Sequence, residues 1–150
     1  MKYSELMKVA RGVILTVGKE LFKVDRIQRY KCRTDSWLNH VFQTPAGELV
    51  LELSDGEVRE WKQVFDMQWA TPDLDVVKYN GRHWEVDESR VRAKTTIETA
   101  DGVTQESSVT SVYIDPKDDK VLLAIETRGD KLFVWYSDRA ISPRDIKIVN

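Results

Sequence analysis

The sequence predicts an all-β protein with a short N-terminal helix, built as two related small barrel units of the SH3-like or Tudor-like kind. Three observations predict it. Short period-two stretches recur between Gly, Pro and Asp turns, as in "LVLELSDGEVREW" from Leu49 to Trp61. No strand–helix–strand rhythm appears, which argues against a doubly wound α/β fold. One phrase is also written twice: Val41-Phe42 precedes Pro45 as Val112-Tyr113 precedes Pro116. Each copy turns into an aliphatic strand, so that Leu49 to Leu53 answers to Val121 to Ile125. Downstream, Val58 precedes Trp61 as Leu132 precedes Trp135. "GKELFKVD" from Gly18 is answered by "GRHWEVD" from Gly81. Such self-similarity reads as two β units, residues 17–72 and 73–150, following a helix and lead-in over 1–16 and able to share one core.

Each element has its own justification. Tyr3, Leu6, Met7 and Ala10 recur at helical spacing, with Ser4 in the first turn, so a short amphipathic helix ends by Gly12. Val13 to Val17 is a strand lead-in, and Gly18 turns it. Leu21 to Cys32 is rich in β-formers and reads as one bent strand or two short ones. Trp37 to Phe42 follows, and "TPAGE" turns it, because Pro presets φ and Gly closes the turn. Leu49, Leu51 and Leu53 alternate with Val50 and Glu52, the mark of a half-buried strand. Asp55-Gly56 suits a tight hairpin to Glu57–Trp61. "KQVFDMQWATPD" fits either a helix or a linker. Asn80-Gly81 predicts a second hairpin, and Asp101-Gly102 a third. Val109 to Ile114, Val121 to Glu126 and Lys131 to Tyr136 form the second meander. Ile146 and Ile148 alternate into a last strand.

Composition narrows the function classes. The 150 residues carry a net charge of -2, distributed unevenly: nine Lys and Arg against three acids up to Arg33, and an acidic excess afterwards. Cys32 is the only cysteine, so no internal disulfide forms and a cysteine-rich zinc site is excluded. No apolar run approaches the roughly 20 residues of a membrane span, and the start lacks the apolar core of a signal peptide. The expectation is a cytoplasmic protein without membrane insertion.

Chemistry is sparse. Neither GxGxxG nor GxxxxGK[ST] occurs. His40 and His83 are the only histidines, and each sits in a strand beside aromatics, so both read as sheet-surface side chains and no metal is expected. Cys32 shares the alternating face of Tyr30 and reads as a buried small hydrophobe, not a nucleophile. Carboxylate pairs such as Glu52 with Glu57, or Asp118 with Asp119, read as solvated turn residues. No catalytic residue or cofactor is expected. The stretch "KVDRIQRYKCR" stands out: Arg29, Lys31 and Arg33 fall on one face, with Tyr30 opposite and Trp37 nearby. Cations for phosphate and rings for bases are what a single-stranded nucleic-acid platform needs. A solvated edge strand is the plainer account.

The residues also resemble a bacterial family of unknown function built of small repeated β units. Gly18, Val24, Trp37, Gly47, Leu51, Leu53 and Gly56 follow its order, and Tyr113, Leu122, Leu123, Ile125, Glu126 and Gly129 resemble a later segment of it. The resemblance runs from Val17 onward. Where that pattern has Glu soon after the first Trp, this chain has Leu38, Asn39 and His40. The resemblance implies a β-rich fold and passes on no functional residue. The expected function is non-enzymatic: an adaptor that engages another protein. The alternative is single-stranded nucleic acid or another anionic ligand on Arg29, Lys31, Arg33 and Trp37. An enzyme comes last.

Overall fold

Period-two alternation becomes twelve strands in a computed structural model that describes residues 1–149. After helix α1 (Tyr3–Leu6) come β1 (Ile14–Val17), β2 (Glu20–Lys23), β3 (Arg26–Lys31), β4 (Ser36–Thr44), β5 (Gly47–Ser54) and β6 (Glu57–Val64). The second half has β7 (Val76–Tyr79), β8 (Arg82–Thr99), β9 (Gly102–Asp115), β10 (Asp118–Arg128), β11 (Lys131–Ile141), a 3-10 turn (Pro143–Asp145) and β12 (Ile146–Val149). The Leu21–Cys32 stretch resolves into two short strands, and 65–75 has no regular structure.

Eight strands form one closed antiparallel barrel, in the order β3-β4-β5-β6-β11-β10-β9-β8, with β8 returning to β3. The closing ladder runs from Ile27 opposite Glu98 to Lys31 opposite Lys94. The all-β class and the short helix stand, but the two expected barrel units are corrected to one barrel. Each half is a four-stranded meander with two open edges, and each edge is an unpaired row of N–H and C=O groups. The halves satisfy one another: β6 takes β11, and β3 takes β8. The basic strand is therefore no edge, since β3 is paired on both sides. Each half also has one row of three facing residues across its middle strands. Val50 lies opposite Val41 and Trp61, as Ala124 lies opposite Val112 and Trp135. A bulge interrupts the β9–β10 ladder between Asp118 and Leu122.

Two apolar layers wrap the outside. In β5 the leucines Leu49, Leu51 and Leu53 point outward. They are buried with Leu6, Leu15, Val24, Phe42 and Ile146, under α1 and the small sheet β12-β1-β2. A four-residue helix has little stability of its own. Its Leu6 is fully buried, and the Leu6 carbonyl accepts a 2.8 Å hydrogen bond from His40 Nε2. His40 is thus a buried anchor and not a sheet-surface residue. The second layer packs Met67, Val77, Trp84 and Val134 over Tyr113, Leu123 and Ile125. Segment 65–75 is tied down there by its carbonyls: Tyr113 Oη donates to Leu74 O at 2.7 Å and Ser111 Oγ to Pro72 O at 2.6 Å. Arg90, at φ 48°, sits where the register of β8 breaks, so one strand serves both the barrel and the β7 hairpin.

Gly47 opens β5 at φ +111°, where an added Cβ would stand 2.5 Å from Phe65 Cζ. Both the backbone and the ring oppose a side chain there. Gly47→Ala is expected to cost roughly 1–3 kcal/mol and to lower the thermal midpoint by several degrees. Adding Phe65→Ala should recover only the steric part of that loss in the same melt.

Candidate functional site

Closing the sheet gives it an inside. Alternation sends Tyr30 (β3), Trp37 and Asn39 (β4), Val50 and Glu52 (β5), Trp61 (β6) and Trp135 (β11) inward, around a cavity of about 400 Å³ lined by all eight barrel strands. Its middle is an apolar belt. Val41, Val50 and Trp61 come from one meander, and Ala124, Trp135 and Val112 from the other. Trp37 lies flat on Tyr30, with ring centroids 5.0 Å apart and planes 8° from parallel.

Polar side chains close one end of this lumen. Arg26 grips Glu48 with two hydrogen bonds of 2.7 and 2.9 Å, and Gln43 donates to the same carboxylate at 2.8 Å. Burial opposes the charge on Glu48, but the Arg26 bonds outweigh it and hold the carboxyl below its ordinary range. Deeper in, the fully buried Arg128 places its guanidinium 4.2 Å from the Phe133 ring centre and its Nε 3.6 Å from Glu126. Gln28, with its amide oxygen turned to satisfy both neighbours, accepts from Arg26 Nε at 3.2 Å and from Arg128. Tyr30 Oη donates to Glu126 at 2.7 Å. Burial still pushes Glu126 up, with the Arg128 charge and the Tyr30 bond offsetting only part of it. Burial, then the Glu126 charge, drives the Tyr30 hydroxyl well above its ordinary value.

The other end differs. The cavity reaches the turns after β3 and β5, past Cys32, Asp35 and Asp55. Glu52 stands there as Glu126 does in the other meander, two residues beyond the belt position on its strand. Its one hydrogen bond is a long 3.4 Å contact from Trp61 Nε1. Burial raises it most. The Trp61 bond and the Arg59 charge pull it down less, the Glu88 and Glu126 charges add to it, and it settles at about 7. Arg59 pairs in register with Glu52 but sends its guanidinium to Ser137 Oγ, 3.1 Å away. Asn39 Oδ1 is buried without a partner.

The residues singled out in the sequence separate. Arg29 and Lys31 point outward from β3, Arg29 toward Glu98 at 3.5 Å, and Arg33 is exposed in the following loop. Trp37 goes inward and away from them. Register puts Lys94 of β8 opposite Lys31, and Arg92 is exposed two residues earlier on the same face. Cys32 is only partly buried, with Sγ 3.3 Å from Asp35 O. His83 is exposed beside Glu85. Sequence reasoning missed Glu52 and Glu126 as lumen groups, yet each sits two residues after Val50 or Ala124 in an aliphatic strand, which puts it on their face. Among the described residues, no group of three or more His, Cys, Asp and Glu stands ready for a metal, and no helix is long and apolar enough to cross a membrane.

A family model described as a domain of unknown function, DUF4178, matches residues 10–143. No curated protein matches the chain, and no solved structure matches it.

A raised carboxyl gives stability that is present below its unfolded value and lost as pH climbs through the folded one. For Glu52 that window runs from the ordinary 4.5 to about 7. Glu52→Gln should therefore match the parent in denaturant melts near pH 4.5. It should become the more stable protein as pH rises to 7 and stay so above. At 1.36 kcal/mol per pKa unit, the gap is at most about 3 kcal/mol.

Proposed function

The chain belongs to the DUF4178 family, and from that premise we propose that it is a non-enzymatic binding protein whose site is the barrel lumen, with a small, partly aromatic organic molecule as ligand. One observation carries the reading: a cavity of about 400 Å³ beside Tyr30, Trp37, Trp61 and Trp135, inside a barrel of only eight strands. Side chains can fill a barrel of that size completely, or leave room for one small ligand. Here the volume lies within the range of about 300–1,000 Å³ common for ligand pockets, and so does the mix of apolar walls and few polar groups. The two meanders are read as copies of one β unit. Support comes from the matched rows Val41–Val50–Trp61 and Val112–Ala124–Trp135, and from Glu52 and Glu126 beyond them.

Nile red, a neutral aromatic dye, tests the lumen. It should bind saturably at one site and quench tryptophan emission by energy transfer. Ala124→Leu, which fills the belt, should weaken binding at least tenfold while moving the melt by only a few degrees. Dye binding that ignores Ala124→Leu would place the site elsewhere.

A second reading rests on the outer face. Arg29, Lys31 and Arg33 stand beside Lys94 and Arg92 of β8, a wider basic strip than β3 alone provides. An anionic ligand such as single-stranded nucleic acid suits it. Labelled single-stranded DNA or RNA should then bind at low salt and release steeply between about 50 and 200 mM. Arg29→Gln with Lys31→Gln and Lys94→Gln should abolish that anisotropy signal. No binding by the parent at tens of micromolar protein removes this reading.

A further inference from the structure

We propose that the lumen selects a protonated amine on an apolar body, with the ammonium group at Glu52 and Asn39 and the body against Trp37 and Trp61. This rests on the lumen being a binding site and adds the class of ligand. The first argument is a comparison between the barrel's own two carboxylates. Glu126 comes with its cation: Arg128, two residues on along β10, lies 3.6 Å away, and Tyr30 donates to it at 2.7 Å. At Glu52 the corresponding residue two positions on is Ser54, which carries no charge. Arg59, the one guanidinium lining the cavity, bonds Ser137 and forms no ion pair with Glu52 among the described residues. One carboxylate has an ion-pair partner, and the other faces the cavity with no ion pair among the described residues.

The second argument is hydrogen-bond polarity. Two acceptors at this part of the cavity are poorly satisfied. Asn39 Oδ1 is buried and unpartnered, and Glu52 has a single long bond to one oxygen. A carboxylate or phosphate ligand would add acceptors to acceptors. An ammonium group supplies three donors and a charge. The third argument is the field. Asp35, Glu52, Asp55 and Glu88 line the cavity with Arg59 as the one lining cation among the described residues, while Glu126 is already paired with Arg128. The indoles of Trp37 and Trp61 add faces that attract a cation, more strongly where water is excluded. The charge of an ammonium group beside Glu52 also offsets the burial that raises this carboxyl, so binding and ionisation of Glu52 reinforce one another. The charged groups facing Glu52 are Arg59 from β6, Glu88 from β8 and Glu126 from β10. Occupancy should weaken as pH falls below about 7.

The probe is a dansyl group with a free aminoethyl arm, compared with its N-acetylated form, followed by energy transfer from tryptophan at pH 8 and pH 5.5. In the parent protein the amine should bind at least tenfold tighter than the acetylated probe at pH 8, and the margin should shrink at pH 5.5. Glu52→Gln should bring the two probes to similar affinity by weakening the amine alone, with the melt confirming a folded barrel. Equal affinities in the parent would overturn the amine assignment while leaving the lumen reading intact. Binding of neither probe, together with no effect of Ala124→Leu on Nile red, would overturn the lumen reading itself.

Discussion

Closure of the sheet between β3 and β8 is the constraint on which the rest depends. Without the ladder from Ile27–Glu98 to Lys31–Lys94, the chain is an open sheet with two long exposed edges. With it, every barrel strand has two neighbours, and alternate residues acquire an interior. The closure is non-local, since β3 must find a strand nearly 70 residues further on. Neither half can form it alone, because β3–β6 and β8–β11 each lack a partner at both ends. That is why two motifs that look self-contained in the sequence make one barrel.

Closure then forces charges into the lumen and requires a solution for each. Arg26 with Glu48, and Arg128 with Glu126, are charge pairs whose further contacts go to Gln43, Gln28, Tyr30 and the Phe133 face, with Arg128 Nε left without a hydrogen bond among the described residues. A buried pair breaks even only when its hydrogen bonds are made, and these are largely made. Glu52 is treated differently. No described residue neutralises it fully, so it stays protonated to an unusually high pH. The asymmetry between two carboxylates in matching strand positions separates the ion-paired end of the lumen from the end that lacks such pairs.

Much of the fold was legible in the sequence. Strands followed alternation, and Asp55-Gly56, Asn80-Gly81 and Asp101-Gly102 did mark hairpins. Tertiary pairing was not legible, because period-two patterning says which residues share a face but not which strand lies alongside. The site suffered from a related ambiguity. "LVLEL" declares one buried face, and the leucines were the natural choice for the core. In fact both faces are covered: the leucines are buried outside the barrel, and Val50 is buried and Glu52 half-buried within it. A Glu in an aliphatic strand then looks like a solvent-facing residue. Arg29, Lys31 and Arg33 were conspicuous because they are solvated, whereas the lumen carboxylates were hidden among apolar neighbours. Alternation already set Tyr30 opposite the basic residues, but Trp37, read as their neighbour, joins Tyr30 inside the barrel.

The outer layers explain how the lumen can hold a cavity and an uncompensated acid. In a barrel whose only core is its interior, every unfilled volume and buried charge would come directly out of a net stability of only about 5–15 kcal/mol. Here the large fully buried side chains Leu6, Phe42, Met67, Trp84, Leu123 and Ile146 lie outside the barrel wall. Roughly 1.5–3 kcal/mol for each such side chain supports the strands from behind. The helix, the three-stranded sheet and segment 65–75 therefore do more than decorate the barrel. They move cohesion to the outside, so the barrel wall does not depend on a filled lumen.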